Sequence, residues 1–397
     1  MAITIVSNPP NDSSINDEIW VTASSTNAGT TNFKFVFDVI VGGNLVARSK
    51  VFPNPTDTYG YFNSAPIIRN YITDYFEPSG NSILVASNNK IAIAYNLQIG
   101  EEVSGTVTTN LASGTYSGKN FYYPLFSDLY ASGNVTLANV YNNALVNYYD
   151  NFLTERDIRN IQIKFNDRFY VSYYRYEGIS EVAYVRTLSP SGSVVASHNA
   201  SVTLLGAFNM FNLSAAAINT WAGSTLITEN TYAYEFYIVS SSGTSRVLRL
   251  FNNCTKYTSY NVHFINRLGG WDTYNFNLVN RRSASLERES YSNSDWQRSG
   301  GAMRTYDAYN KFNTTKTAFS IRHRDKINLQ GDYVNEMDYN WLYQLVASSN
   351  VYIEVQSMYL PMYITSNNYE YKILGVDKVF NLQIEAEIPK NITSQFR

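Results

Sequence analysis

The stretch that decides the fold is Phe33-Lys34-Phe35-Val36-Phe37-Asp38-Val39-Ile40-Val41, which runs into Gly42-Gly43-Asn44 and returns as Leu45-Val46-Ala47-Arg48. Every second residue from Phe33 to Val41 is apolar, and this spacing places one row of side chains on one face of a β-strand. The glycine pair between the two runs is typical of a tight turn. The stretch therefore predicts a β-hairpin.

The same pattern recurs along most of the chain, in runs rich in Tyr, Phe, Val, Ile and Thr, which suit a pleated, half-buried surface. The further predicted strands are Lys90–Ile99, Ile161–Tyr174, Glu181–Leu188, Tyr232–Val239, Val247–Phe251 and Asp272–Val279. Because strands dominate and turn residues separate them, we expect an all-β chain.

Only two segments predict helices. In Ala65–Ile72 a proline stands near the start, with Ile68 and Ile72 on one face. The second is Met337–Val346, followed by Ser348-Ser349-Asn350. Its apolar stripe, Trp341, Leu342, Leu345 and Val346, predicts an amphipathic helix packed on the C-terminal sheet, with Asp338 near the helix N-terminus, where a negative charge is favourable.

At 397 residues the chain is longer than one ordinary domain. We expect three β-sandwich-like modules, at residues 1–152, 153–262 and 263–397, the last of which carries the amphipathic helix. The Gly/Ser/Asn-rich passage Ser290–Gly301 predicts a long loop in the third module.

Charged residues make up only 16% of the chain, and 34 tyrosines accompany many asparagines, serines and threonines. Such surfaces are typical of extracellular proteins, carbohydrate binders and virion components. The formal net charge of −2 provides no dense positive field, so we expect no nucleic-acid partner. The N-terminus lacks the pattern of a secretory signal, and no apolar run reaches the length of a membrane span, so we expect cytoplasmic assembly without membrane insertion.

No catalytic or metal-binding pattern emerges from the candidate residues. The three histidines have no second His or Cys at ligand spacing, and we expect His198 in a turn, His263 in a strand and His323 in a basic strand. Cys254 is expected to be a half-buried structural residue. We expect no catalytic residue, no cofactor and no metal, and assign no enzymatic activity.

Two further sequence patterns resemble functional motifs but lack residues that those motifs require. His323-Arg324-Asp325 imitates a kinase catalytic loop, but Gln330 stands where that loop needs a metal-binding Asn. The acidic residues Asp332, Glu336 and Asp338 lack the spacing and the glycine of an EF-hand loop. A glycan-degrading enzyme needs only two carboxylates that can lie anywhere in the sequence, so this alternative stays open behind the others.

Three patches together resemble tail-associated structural proteins of Bacteroides-infecting, crAss-like phages and related prophages. They are Phe35–Ala47 with the following Pro53-Asn54-Pro55 and Tyr59-Gly60-Tyr61-Phe62, the segment Phe264-Ile265-Asn266-Arg267-Leu268-Gly269-Gly270-Trp271-Asp272-Thr273-Tyr274-Asn275-Phe276, and the C-terminal run Val351–Arg397. In the second patch we expect Gly269 and Gly270 to turn the chain with positive φ and Trp271 to anchor the turn.

The resemblance implies a virion structural protein: a tail adaptor or tail-fibre hub subunit that assembles with copies of itself in a symmetric ring and docks other phage tail proteins. The expected location is the virion tail. Strands without heavily charged edges and abundant tyrosines agree with extensive subunit contacts. The alternative is a receptor- or glycan-binding protein at a fibre tip or on a bacterial surface, with a host surface glycan as partner.

Overall fold

The computed structural model describes most of the chain. The described residues are 3–9, 12–14, 18–72, 76, 78, 80–85, 92–108, 115–122, 152–174, 180–202, 208–240, 243–254, 256–292, 296–299, 302–305, 316–356, 358–366, 369, 370, 372 and 380–393. Strands predominate over helices in this part, so the all-β fold class is confirmed.

Two sheets form the N-terminal part. The first, with antiparallel order β1-β3-β6, consists of Ile3–Ser7, Trp20–Ser25 and Gly60–Asn63. The second has the order β2-β10-β8-β4-β5, with β9 paired to β8. Its strands are β2 (Asp12–Ser14), β4 (Lys34–Val41), β5 (Asn44–Val51), β8 (Ala92–Val103), β9 (Thr106–Thr108) and β10 (Thr115–Tyr122). Side chains from both sheets form one apolar core.

The predicted first hairpin is confirmed as β4 and β5. Val41 pairs with Asn44 across the turn, and Gly42 and Gly43 adopt φ of 59° and 81°. The chain then enters a short helix, α1 (Ala65–Ile68), continued by the 3-10 turn Arg69–Tyr71. The predicted helix in this region therefore exists but is shorter than expected, because Ile72 already has extended geometry.

The central part is a sheet of order β11-β18-β16-β13-β14, with β17 on β16, and a helix, α2 (Ala215–Ala222). The strands are β11 (Ile161–Ile163), β13 (Glu181–Leu188), β14 (Val194–Ser201), β16 (Ala233–Ser240), β17 (Gly243–Thr244) and β18 (Leu248–Asn252). Glu181–Leu188 matches the prediction to the residue, whereas the predicted strand Ile161–Tyr174 is two strands, β11 and β12 (Tyr170–Tyr174).

A small sheet joins the first two parts of the chain. Its order is β12-β15-β7, with β12 at Tyr170–Tyr174, β15 at Phe208–Asn212 and β7 at Leu84–Val85. The predicted boundary between 152 and 153 thus separates segments that share a sheet, and the boundary between 262 and 263 falls inside a strand, Tyr260–Ile265. The three-module division stays a prediction.

The C-terminal part contains two four-stranded sheets. One has the order β20-β19-β25-β26, with strands Trp271–Phe276, Tyr260–Ile265, Val351–Val355 and Met358–Pro361. The other has the order β21-β24-β28-β27, with strands Arg281–Ser292, Lys316–Gln330, Gln383–Thr393 and Tyr363–Ile364. A separate hairpin joins β22 (Trp296–Ser299) and β23 (Ala302–Thr305). The predicted loop Ser290–Gly301 is therefore partly strand, because cross-strand pairing overrides its polar composition.

The predicted amphipathic helix is confirmed as α3, Glu336–Ala347. It begins at Asn335, whose side chain accepts a hydrogen bond from the Asp338 backbone N–H at 2.7 Å. Trp341, Leu342 and Leu345 are buried in the core with residues from both C-terminal sheets, and Val346 packs at the edge of this core. Burial of this stripe holds the helix on the sheet.

Candidate functional site

The sequence-predicted candidate residues lie on separate parts of the fold. The three histidines are on three different sheets: His198 on β14, His263 on β19 and His323 on β24. The expected turn at His198 is wrong, because this residue pairs with Val185 inside the central sheet. Cys254 is exposed rather than half-buried, since β18 ends at Asn252. No group of three or more potential metal-ligating residues occurs in the described part of the chain.

His263 is the one histidine that lies in a polar cluster. Its side chain is fully buried, its Nδ1 lies 2.9 Å from Thr273 Oγ1, and its ring stacks on that of Phe76 at 4.6 Å. Nε2 lies 3.9 Å from the Glu354 carboxylate, which is an electrostatic contact longer than a hydrogen bond. Burial lowers the pKa of His263, with Glu354 acting in the opposite direction, so the neutral imidazole is favoured.

The cluster continues through Glu354 to a pair of tyrosines. Arg168 lies 3.6 Å from Glu354 and donates to the Tyr359 hydroxyl at 2.7 Å, which in turn lies 2.7 Å from the Tyr170 hydroxyl. Burial acts to raise the pKa of Glu354, but His263, Asn261 and Arg168 outweigh it and the pKa is lowered. Burial raises the pKa of both tyrosines, so their hydroxyls stay protonated.

This cluster connects parts of the fold that come from distant segments. Arg168 precedes β12, and Tyr170 is the first residue of this strand. The other members come from the C-terminal part: His263 from β19, Glu354 from β25 and Tyr359 from β26. A base and a carboxylate side by side are typical of catalysis. Here, however, the imidazole has no exposed surface, and Phe76 covers its ring face. The arrangement therefore connects the segments that carry it as a buried cross-link.

A second buried polar contact ties the segment after residue 151 to the C-terminal part. One carboxylate oxygen of Asp272 accepts hydrogen bonds from Thr154 Oγ1 at 3.0 Å, Asn266 Nδ2 at 2.8 Å and Trp341 Nε1 at 2.8 Å. Burial raises the pKa of Asp272 to about 6, although these donors act to lower it. Three donors on one buried oxygen fix the relative position of the segments that carry them.

The turn that precedes Asp272 follows the prediction only at one of its two glycines. Gly269 adopts φ of 81°, as expected. Gly270 does not have positive φ; instead a Cβ at this position would lie 2.6 Å from the Leu153 carbonyl oxygen and 2.9 Å from Ser172 Cβ. Its role is close approach of two backbones, and Trp271 is buried beside it.

The most exposed regular structure of the described chain is the hairpin of β21 and β24, which we call the arm. Along Arg281–Ser292, every residue except Ser285 is exposed. The base of the arm is anchored, because Ile327 and Leu329 of β24 lie in the C-terminal core. β28 pairs with β24 as far as Arg322, so among the described residues the arm is three-stranded at its base and two-stranded only along residues 288–292 of β21.

Large apolar side chains are exposed along the arm. Leu286 lies opposite His323, on the same side of the arm as Ile327, and is 51% exposed. Tyr291 stands an odd number of residues farther along β21 and therefore lies on the other side of the arm from Leu286. Tyr291 and Phe319 are 45% and 56% exposed, with ring centroids 6.3 Å apart. A two-stranded ribbon such as the end of the arm is marginally stable by itself in water.

Charged side chains lie on both sides of the arm: Arg282 is on the side of Leu286, and Glu287 and Glu289 are on the other side. Arg324 lies 3.8 Å from Glu287, Arg322 lies 3.9 Å from Glu289, and Lys326 lies 3.2 Å from Glu387. Exposed pairs of this kind contribute little stability. The expectation of strands without heavily charged edges is wrong for β21. This strand is an outermost strand of its sheet among the described residues. It carries five charged side chains, Arg281, Arg282, Glu287, Arg288 and Glu289.

Comparison with known proteins gives little guidance. No family model matches the chain, and no curated protein matches it. Among solved structures, the chain is similar to the FN1–FN3 domains of chicken CNTN1, with 13% identity over 63% of this chain and 69% of that chain, at a TM-score of 0.17. No helix in the described part is long and apolar enough to cross a membrane.

Proposed function

We propose that the chain is a virion structural subunit, a tail adaptor or tail-fibre hub that assembles with copies of itself in a closed ring and docks other phage tail proteins. The observation that carries the structural role is the arm, whose large apolar side chains are exposed in the single chain. The assignment to a phage tail rests on the resemblance of the three sequence patches.

Contact with a neighbouring subunit would bury the exposed apolar side chains of the arm. These side chains, Leu286, Tyr291 and Phe319, lie along the arm and would contribute favourably when covered by a neighbouring subunit. The charged edge of β21 opposes uncontrolled edge-to-edge pairing, so contact through the face is favoured over contact through the edge. A closed ring limits the number of copies, whereas an open head-to-tail contact would give filaments.

Substitution on the arm tests the structural role. Leu286→Glu replaces an exposed apolar side chain of the arm by a charged one and should reduce the assembled mass measured by light scattering. Leu45→Glu is the matched control, because Leu45 is 53% exposed, close to the 51% of Leu286, but lies on β5 of the first hairpin. Equal assembly of both variants and the unmodified chain would remove the arm from the interface and with it the support for this function.

Glycan or receptor binding is the second candidate, and one observation favours it. The rings of Tyr184 and Tyr237 stack at 5.1 Å, nearly parallel at 6°, on the central sheet, and both side chains are half-buried. Flat aromatic pairs can carry sugar rings. Binding of a host surface glycan that is lost in Tyr237→Ala, in a chain that stays monomeric, would favour this function over assembly.

A further inference from the structure

A cleft of about 590 Å³ lies between the central sheet and the start of helix α3. Four arginines line it, Arg156, Arg159, Arg246 and Arg249, against two acidic residues, Asp157 and Glu235. The described lining therefore carries two more positive than negative side chains, in a chain whose overall formal charge is −2. The positive charge is local to this cleft.

The two acidic side chains of the cleft already have partners. Arg249 contacts Glu235 at 2.6 Å, and Arg186 holds the other oxygen of the same carboxylate. Asp157 accepts from the Arg159 backbone N–H at 3.1 Å and from Asn335 Nδ2 at 3.3 Å. Arg159 itself is exposed and forms no ion pair with any described residue, so its guanidinium is available to a ligand.

Two further arginines are fixed by the fold. Arg246 donates to the carbonyl oxygens of Phe152 and Thr154 at 3.3 Å and 3.0 Å. Arg156 is 7% exposed, donates to the Thr273 carbonyl oxygen at 3.0 Å, and lies over the ring of Trp341 at 5.0 Å. Because the fold already holds these guanidinium groups in place, they lose little conformational freedom when an anion binds.

The remaining lining is apolar. It consists of the side chains of Ile158, Val247 and Met337. None of the described residues that line the cleft is aromatic. Neutral sugars, which depend on aromatic stacking, do not suit such a site. An organic anion with an aliphatic chain suits this cleft. Guanidinium groups match the two oxygens of a carboxylate, and the apolar side chains cover the aliphatic chain.

We infer that this cleft binds a small organic carboxylate, with Arg159 and Arg249 at its carboxyl group and Met337 and Val247 against its carbon chain. The site is independent of the arm, which belongs to a different sheet. Ligand binding here and self-assembly through the arm can therefore fail or succeed separately.

Calorimetric titration with hexanoate tests the site, with hexan-1-ol as the matched ligand that lacks the charge. Hexanoate should bind saturably, more weakly as salt is raised, and the alcohol should not. Replacement of both Arg159 and Arg249 by Gln should weaken hexanoate binding about tenfold or more, the loss of one charge-assisted hydrogen bond or more. Lys256→Gln, an exposed cation outside the cleft, should leave binding unchanged.

A second variant covers the case in which the double substitution disturbs folding. Met337 is 55% exposed in the first turn of α3, where an acidic residue is compatible with the helix, so Met337→Glu should fold and repel the carboxylate. Saturable hexanoate binding that survives in folded Met337→Glu and in the double variant would overturn the inference. Equal binding of hexan-1-ol, tighter binding of inorganic phosphate, or no binding to the unmodified chain would overturn it as well.

Discussion

Trp341 Nε1 donates a hydrogen bond of 2.8 Å to the carboxylate of Asp272, and both side chains are buried. The contact links helix α3 to strand β20, and through Thr154 it reaches the segment that leads into the central sheet. Trp341 thus combines a large apolar surface with one polar bond to a buried charge.

Truncation of Trp341 should therefore destabilise the chain strongly. We expect Trp341→Ala to lower the free energy of unfolding by about 3–5 kcal/mol, the cost of removing a large buried aromatic side chain. Trp341→Phe keeps most of the volume but removes the donor to Asp272, and should cost about 1–3 kcal/mol. Chemical denaturation measures both. Melting unchanged by Trp341→Ala would mean that the helix stripe is not part of the core.

Asp272 should make the protein more stable at mildly acidic pH. Burial raises its pKa from 3.8 to about 6, so between these values the folded chain binds more protons than the unfolded chain. Its contribution to the free energy of unfolding therefore falls as pH rises from about 4 to 6. Asp272→Asn, which cannot ionise, should flatten this part of the pH profile. An identical profile in the variant would contradict the assignment.

His263 should have the opposite effect from Asp272 on how the free energy of unfolding depends on pH. Its pKa is lowered from 6.5 by burial, so the unfolded chain binds the proton more readily than the folded chain. Its contribution is present above pH about 6.5 and is lost as pH falls below this value. His263→Gln should reduce the loss of stability on acidification, measured by denaturation at a series of pH values. A pH profile that is the same in folded His263→Gln as in the unmodified chain would contradict this assignment.

Gly270 should not tolerate a methyl group. In Gly270→Ala the new Cβ would meet the Leu153 carbonyl oxygen at 2.6 Å, and we expect a loss of about 1–3 kcal/mol from overpacking. Gly29→Ala is the matched control, because a Cβ there meets nothing within 4 Å. Equal stability of the two variants would mean that the backbones at Gly270 and Leu153 do not approach so closely.

The sequence could predict those elements in which a repeating apolar pattern faces a core. The hairpin at Phe33–Arg48 and the helix stripe around Trp341 are of this kind. The arm was missed because neither face of β21 is buried, so no alternation of apolar and polar residues marks it. The expected loop Ser290–Gly301 is partly strand because β22 pairs with β23, a contact that its polar composition does not indicate.

The polar cluster could not be predicted for a different reason. His263 and Glu354 are far apart in the sequence and meet only because β19 and β25 are neighbours in one sheet. Phe76, which covers the imidazole, comes from a third segment. No local spacing encodes such contacts, whereas Arg246 and Arg249 of the cleft stand close together in the sequence, just before and within β18.

The central claim, assembly into a closed ring, is tested most directly by the mass of the unmodified chain in solution. Light scattering at low and high ionic strength should give one discrete multiple of the 45.0 kDa chain in both conditions. Contacts through the exposed apolar side chains of the arm, more than about 1,000 Å² in total, depend little on salt, because screening weakens exposed ion pairs but not apolar contacts. A monomer at both ionic strengths, also when mixed with other tail proteins, would contradict the account and favour glycan binding.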